Sequence, residues 1–447
     1  MEYPGTKLTR PIRRAILITF FALFFIITPI IIMYTEGYRY DWQNGRRREI
    51  GAVSIDIEPT NATVEMDTVK ITSGMPIRLN NITPRKYHVR ISAPDFYNWE
   101  KDIEVLNKQT VYIKEISLIR KSEPEFVAAG KANAIAISPD NNWLALVDNR
   151  TVKILNLKTN QATNVDTFLG TTPIKFTWAD NNNWLTISNE NTPFNILTIV
   201  NADNPEKKYD LTALVKQKIV KWQWRETTDP ELYYSTASEI KSFKPLTGND
   251  DRVAANKYFD WYMENGTLWT IQMATNTDNI KIFKDTIGFA SEFLIDDSSN
   301  LPQDGNSVTI VKAIRNQVLL KSKTQPQMYL ATNQRVYKIA GDNLLISRYN
   351  NWWLFWTPWE LTSYSEGGEP ILLNRSGEGL RQVWPLDKYN TLGLIWNNKT
   401  TVLFPYYSVT HDFIDSPTND TAIDINNHIF YFSAKIDDQE GIWKLSY

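Results

Sequence analysis

One stretch of the chain is unlike all the others. From Ala15 to Tyr34 the sequence reads AILITFFALFFIITPIIIMY, with no charged residue. At about 1.5 Å rise per residue a helix of that length spans the roughly 30 Å hydrocarbon core of a bilayer. Inside lipid, only a segment that satisfies its own backbone N–H groups is viable. The pattern predicts one membrane-spanning helix over 15–34, and Pro29 removes one donor late in the span, a loss that membrane helices tolerate. A cleaved signal peptide is the competing reading. The run is longer than the roughly 7–15 apolar residues of such a segment, and no A-x-A-like cleavage site follows it. Instead Tyr34, Tyr38, Tyr40 and Trp42 follow, rings suited to a membrane–water interface. No second apolar stretch approaches this length, so a single pass is expected.

Beyond the span the pattern changes to short alternating runs. Val53, Ile55 and Ile57 alternate with polar neighbours, as do Tyr87, Val89 and Ile91. Period two means one buried and one wetted face. Pro59, Ser73-Gly74, Pro76, Pro84 and Pro94-Asp95 break the runs. About six short strands over residues 51–118 predict a compact β-sandwich. His88 falls on the polar phase of its strand beside Arg90, which predicts a solvent-facing histidine rather than a ligand.

After a short charged linker (119–124), one phrase recurs to the end of the chain: apolar strand, Asn/Asp-rich turn, apolar strand. The clearest copy is AIAISPDNNWLALVDNRTVKILNL, Ala134 to Leu157, and IKFTWADNNNWLTIS repeats it. Proline fixes φ in the Ser138-Pro139-Asp140 turn, and asparagine tolerates left-handed geometry. Second strands are expected to begin at Trp143, Trp184, Glu231, Thr267, Gln317, Trp352, Thr391 and His428. Those seven steps cover 285 residues, a mean of 40.7. A repeat of about 40–45 residues holding four short strands is the signature of a β-propeller, whose blades bury their sheet faces only by stacking in a ring. Eight blades fit 125–447 best, with seven as the alternative, because the step to Gln317 is long. The stretch from Asp285 to Asn306 is expected to loop out there.

The fold class expected is thus all-β: a tail (1–14), one transmembrane helix (15–34), a juxtamembrane linker (35–50), a small sandwich (51–118), a linker and a propeller. Charge adds a topology. Residues 1–48 hold eight basic and three acidic side chains, net +5, which leaves 40 basic and 47 acidic, net −7, for the rest. Lys7, Arg10, Arg13 and Arg14 precede the span. Arg39 and Arg46 to Arg48 follow it, diluted by Glu36, Asp41 and Glu49. Charges abutting the membrane weigh most, which favours a cytoplasmic N-terminus and an extracytoplasmic body. Anionic headgroups can use the basic residues at the membrane. A net charge of −2 overall excludes a globally basic nucleic-acid binder.

The segment IDIEPTNATVEMD, followed by SGMPIRLNNITPRKYHVRISAPDFYNWEKDIEVLNKQTVYIKEISL, resembles a PEGA domain. Pro59, Ala62, Asp67, Gly74, Pro76, Pro84 and Tyr87 stand at matching positions. The sequence departs from the pattern where glycine is usual: Thr68 follows Asp67, Arg85 follows Pro84, and Asp95-Phe96 stands for Gly-Tyr. The resemblance implies a prokaryotic, mostly extracytoplasmic adhesive or spacer module without catalysis of its own. The Ser138-Pro139-Asp140 phrase and its echoes resemble the TolB-like and WD-repeat propellers in blade grammar. No Gly-His or terminal Trp-Asp pair recurs, so the WD-repeat subgroup is not indicated.

Chemistry is sparse. Cysteine is absent and only His88, His411 and His428 occur, which removes thiol chemistry and leaves little for histidine-based metal or triad sites. There is no Gly-x-Ser-x-Gly elbow, Walker loop or His-Glu-x-x-His helix. The acidic pairs at Asp250-Asp251, Asp296-Asp297 and Asp437-Asp438 read as solvated turns, since calcium wants six to eight oxygens. No catalytic residue, cofactor or metal is expected. Sixteen tryptophans form the one compositional excess, and Trp352, Trp353, Trp356 and Trp359 cluster in NNWWLFWTPWE. They read either as an aromatic binding platform or as wide packing between sheets.

The expected function is a membrane-anchored, extracytoplasmic, non-enzymatic binding or scaffold protein of the cell envelope. Its partners would be the bilayer, through Ala15 to Tyr34, and an envelope protein or cell-wall glycan. The alternatives are a propeller enzyme acting on polysaccharide or peptide, and the sensory ectodomain of a membrane complex.

Overall fold

The structure, a computed structural model, describes residues 9–35, 38–41, 46–130, 132–168, 173–180, 183–189, 194–273, 280–286, 288–347, 352–414 and 420–447. The first eight residues of the tail, Glu36 and Trp42 lie outside the described residues. The chain divides into two compact units, Met1–Lys121 and Ser122–Tyr447.

The first unit opens with an α-helix, Arg10–Thr35, that runs through Pro29. Its stretch from Pro11 to Thr35 is long and apolar enough to cross a membrane, and none of its most apolar window is buried in the protein. Two of its hydroxyls are satisfied locally: Thr19 Oγ1 donates to the Ala15 carbonyl at 2.9 Å and Thr35 Oγ1 to that of Ile31 at 3.0 Å. A helix coated in apolar side chains, with its backbone paired within the segment, is what a bilayer requires. Two short strands, Tyr38–Asp41 and Arg46–Glu49, then pair antiparallel.

The sandwich has seven strands, one more than expected, in two sheets. In the three-stranded sheet Gly51–Glu58 lies between Ile77–Ile82 and Thr110–Ser117, antiparallel to the first and parallel to the second. The four-stranded sheet runs Val69–Ile71, Thr63–Met66, Arg85–Ser92, Trp99–Val105. The alternation read from the sequence is the burial pattern: Val53, Ile55, Ile57, Val89 and Ile91 are buried while their neighbours are not. Two turns manage without the usual glycine because aspartate takes the left-handed conformation, at Asp67 (φ 55°) and Asp95 (φ 63°). Asp67 then accepts the His88 backbone N–H at 3.0 Å and an Arg85 guanidinium N–H at 2.7 Å. His88 faces outward, its Nδ1 2.7 Å from Asp102 Oδ1 on the neighbouring strand.

The second unit is a ring of eight four-stranded antiparallel sheets among the described residues. Seven are built from consecutive strands; the first of these runs Ala132–Ile137, Trp143–Asp148, Thr151–Asn156, Gln161–Thr167. The eighth is composite. Thr421–Asp424, Ile429–Ile436 and Gln439–Ser446 come from the end of the unit, and Glu125–Ala129 from its start adds the outermost strand. Phe126 sits opposite Trp443 in that seam, their rings 5.3 Å apart edge to face. One sheet thus joins the two ends of the ring.

Apolar clusters straddle neighbouring blades, as a ring of stacked sheets demands. One joins blades 1 and 2 through Val147, Ile154, Leu185 and Ile187; another joins blades 8 and 1 through Tyr431, Ile442, Leu144 and Leu146. Blades 4 and 5 meet at Trp269, Ile282, Ile310 and Leu320, and blades 6 and 7 at Leu354, Trp356, Leu392 and Trp396. Blades 7 and 8 touch through Phe413 and Phe430, 5.9 Å apart. Both faces of each central strand are buried, which is why the second strands read as continuous apolar runs rather than alternating ones.

The long step before Gln317 is only partly a loop. Asp285 lies in the strand Ile280–Thr286, and Phe289–Glu292 pairs with it as the outermost strand of blade 4. Phe-Ala-Ser-Glu is too short and too exposed to carry a strand pattern in sequence, and its pairing comes from the neighbour. The residues from Phe293 onward make the extended connection, which ends in a 3-10 turn at Gly305–Ser307.

Candidate functional site

First strands of neighbouring blades pack on one another, Ala132–Ile137 against Ile174–Trp178 and Thr421–Asp424, and Asp260–Glu264 against Val308–Ile314. Polar groups on these inner strands are spent largely on holding the ring. Asp260 accepts from Lys221 Nζ at 2.7 Å on the preceding blade and from the Ile310 backbone N–H at 2.6 Å on the following one. Asp420 accepts from Gln382 Nε2 at 3.0 Å and from the Ile135 backbone N–H at 2.7 Å in the same arrangement. Burial lowers the Lys221 pKa and raises that of Asp420. Trp178 Nε1 and Trp224 Nε1 each donate at 3.2 Å to a carbonyl on the previous blade, Ala136 and Thr177.

Carboxylates at the other ends of these strands are also engaged. Glu226 accepts from Tyr262 Oη at 2.9 Å and pairs with Lys312. Burial, then Glu226, pushes the Tyr262 hydroxyl pKa up. Glu264 accepts from the Arg315 backbone N–H and from Trp269 Nε1, both at 3.1 Å. The acidic pairs singled out in the sequence behave as turn and strand residues: Asp250 is held by Tyr234 Oη (2.7 Å) and Lys241 Nζ (2.9 Å), and Asp251 by Lys244 Nζ (3.0 Å).

The four clustered tryptophans do not form one surface. Trp353 (3 % exposed) and Trp356 (6 % exposed) are buried in two different inter-blade cores. Both lie in the strand Trp353–Trp356, whose two faces are covered. Trp352 and Trp359 sit beyond opposite ends of that strand. Trp359 is 57 % exposed and stands alone among the four as a solvent-facing ring. Trp352 is half-buried, its ring 5.6 Å from that of Tyr406 on blade 7.

Around Trp352 the structure assembles a group that sequence reasoning missed. Tyr406 is 58 % exposed, and its hydroxyl lies 3.5 Å from Asn390 Nδ2 in the first turn of blade 7. Lys388 Nζ stands 4.7 Å over the Tyr389 ring in the same turn. Beneath them Asp387, 5 % exposed, accepts the backbone N–H groups of Tyr389 (2.8 Å) and Thr391 (3.0 Å) through Oδ1. Its Oδ2 is buried with no hydrogen-bond partner among the described residues. Burial raises its pKa. The signal was present in sequence: Leu386-Asp387-Lys388-Tyr389-Asn390 occupies the place of Ser138-Pro139-Asp140-Asn141-Asn142 but carries an aromatic ring and a cation. This aromatic, amide and ammonium combination is suited to stacking against a sugar ring and hydrogen-bonding its hydroxyls.

Comparison with known proteins bears out the resemblance to a PEGA domain and a β-propeller. Residues 50–117 match the PEGA domain. The chain therefore carries a PEGA domain ahead of a β-propeller, with a candidate single-pass membrane helix at its N-terminal end. No curated protein matches it in sequence. Among solved structures, the Dos1 propeller is similar at 10 % identity and a TM-score of 0.47, covering 72 % of this chain and 94 % of that one. The Cps50 (Swd1) propeller of Myceliophteria thermophila is similar at 7 % identity and a TM-score of 0.43, covering 72 % and 99 %. PorZ, a bacterial surface component of the type-IX secretion system of Porphyromonas gingivalis, is similar at 13 % identity and a TM-score of 0.37. That match covers 72 % of this chain but only 37 % of PorZ.

Proposed function

We propose that this protein is a membrane-anchored binding protein of the cell envelope, with its N-terminus in the cytoplasm and its β body outside. The observation that carries the reading is the order of parts: an exposed apolar helix, then a PEGA domain, then a ring of blades. The helix offers lipid a surface made almost wholly of apolar side chains. A PEGA domain suits the extracytoplasmic side. The ring offers loops at both ends of its strands, positioned by a rigid scaffold, which is where such folds bind.

Binding rather than catalysis is favoured by how the inner carboxylates are used. Asp260, Asp420, Glu226 and Glu264 are each committed to a neighbouring blade or strand. Of the two partner classes, cell-wall glycan fits better, because Trp352 and Tyr406 present adjacent rings beside Asn390 and Lys388.

The test is co-sedimentation of the purified full chain with isolated cell-wall material. The natural chain is expected to sediment with the wall, and a Trp352→Ala/Tyr406→Ala variant to remain in solution. Equal sedimentation of both would remove the glycan reading. Release of cleaved sugars by the natural chain would replace binding with catalysis.

A further inference from the structure

We propose that one end of the propeller, where blades 2, 3 and 4 are joined, docks on the anionic headgroups of the bilayer that holds the anchor. The proposal rests on the membrane-anchored reading, which keeps that surface within reach. It adds a docking surface at the end of the ring opposite Trp352 and Tyr406.

Strand order defines the two ends. In an antiparallel four-stranded blade, the connection to the next blade leaves from the end that carries the turn between the second and third strands. Trp352 and Tyr406 stand in turns at the other end. From blade 2 to blade 3 the chain passes from Lys208–Asp210 through a short helix, Leu211–Val215, to the strand Lys221–Trp224. Leu211 (1 % exposed) and Ile219 (0 %) are buried in one apolar cluster and pin this connection, so the residues between them stand out. Leu214 is 57 % and Val220 40 % exposed, and Lys216 and Lys218 are exposed with them. Backbone bonds fix the loop: Phe194 N–H donates to the Ile219 carbonyl and Val220 N–H to that of Ser235, both at 2.9 Å. The 235–238 turn also holds the connection from blade 3 to blade 4. Asn256 donates its backbone N–H to the Ser238 carbonyl at 2.8 Å and its Nδ2 to that of Thr236 at 2.6 Å, and the exposed Lys257 follows.

Three lysines and two apolar side chains thus share one stitched surface. Lys216, Lys218 and Lys257 make no ion pair or side-chain hydrogen bond among the described residues. The acidic side chains described on the same loops are committed: Asp210 accepts from Thr212 Oγ1 at 2.6 Å and Ala213 N–H at 3.1 Å, and Glu239 pairs with Arg252 at 3.1 Å. Lysines beside exposed leucine and valine suit the interface of an anionic bilayer, where ammonium groups meet phosphates and apolar side chains reach the acyl boundary. A soluble polyanion would use the lysines and leave Leu214 and Val220 in water. The chain beyond residue 48 carries a net −7, so an anionic surface repels most of it and a locally basic end decides which part approaches. Tethering to the same bilayer raises the effective concentration of that surface, so a few weak contacts suffice.

The experiment uses the full chain reconstituted in nanodiscs of phosphatidylcholine alone and of equal parts phosphatidylcholine and phosphatidylglycerol, both containing a doxyl-lipid quencher. Gln217→Cys, exposed between the two lysines, carries a nitrobenzoxadiazole label on the single thiol of the chain. Thr159→Cys, exposed in the turn between the third and fourth strands of blade 1, carries the same label at the opposite end. Quenching is expected at 217 in the anionic discs alone, and at 159 in neither. Lys216→Gln combined with Lys218→Gln and Lys257→Gln is expected to abolish it, each lysine removed lowering the ratio of docked to free ring about fivefold. Absent quenching at 217, equal quenching in the two discs, or quenching at 159 as well overturns the proposal. A response of the 217 label to soluble polyphosphate, without quenching in the anionic discs, would assign this end to a soluble polyanion instead. A chain that fails to insert into either disc overturns the spanning helix itself, so the two failures are distinguishable.

Discussion

Asp420 Oδ2 accepts the backbone N–H of Ile135 at 2.7 Å, a contact that joins the last blade of the ring to the first across 285 residues of chain. Four blades away Asp260 makes the same contact with Ile310. Each carboxylate sits at the start of an inner strand and takes a donor from the blade before and a backbone N–H from the blade after. The inner strands are thus clasped in the same way at two opposite points of the ring. Truncating Asp420 to alanine strands a buried N–H and frees Gln382. An unsatisfied buried donor costs about 1–3 kcal/mol. Asp420→Ala is therefore expected to lower the stability of the ring by that order, read as the denaturation midpoint. An unchanged midpoint would show that the clasp contributes nothing.

The outer seam of the same blade has its own weak point. A Cβ built on Gly441 would lie 2.6 Å from the Ala128 carbonyl oxygen and 2.5 Å from the Phe126 ring, both on the strand that closes the ring. Backbone cannot retreat without breaking the ladder, so Gly441→Ala should peel Glu125–Ala129 away. Limited proteolysis is expected to cut the variant near 125–129 while sparing the natural chain. Equal resistance of the two would mean that the seam tolerates a methyl group.

Burial raises the pKa of both Asp387 and Asp420. The folded protein then binds these protons more tightly than the unfolded chain does. Their contribution is least favourable at neutral pH, where both states are ionised, and improves as pH falls through the folded-state pKa. Asp387→Asn abolishes that titration. The stability of this variant relative to the natural chain should fall as the pH is lowered from neutral. A difference independent of pH would show that Asp387 titrates normally.

Substitutions within NNWWLFWTPWE should separate into two kinds. Trp356 packs between blades 6 and 7 and donates from Nε1 to the Arg381 carbonyl at 3.1 Å. Its replacement by alanine is expected to cost about 3–5 kcal/mol. Trp359→Ala, at an exposed turn, should change stability by no more than about 0.5 kcal/mol. Thermal unfolding of the two variants decides it, and similar losses would contradict the burial described here.

What the sequence disclosed follows from the range of the interactions involved. Trp143, Trp184, Thr267 and Gln317 begin second strands as read, and Glu231, Trp352, Thr391 and His428 each precede one by a single residue. Those strands are marked by local turn chemistry and a continuous apolar run, which sequence displays directly. The pairing of Gly51–Glu58 with Thr110–Ser117 is parallel and distant, and nothing in either segment specifies its partner. Phe289–Glu292 is a strand only because Ile280–Thr286 lies beside it. The tryptophan cluster divided for a similar reason: in a strand covered on both faces, periodicity no longer separates inside from outside. Asp387 stands in a turn as Asp140 does, and only burial sets its Oδ2 apart.

The central claim is that the helix crosses the membrane and leaves the propeller outside the cell. Because the chain has no cysteine, single introduced thiols report on it cleanly. Trp359→Cys places a thiol at an exposed turn of the ring, and Thr9→Cys places one just before the helix. With a membrane-impermeant maleimide, the account predicts labelling of position 359 in intact cells and of position 9 only after permeabilisation. Labelling of position 9 in intact cells, with position 359 protected until lysis, would contradict it.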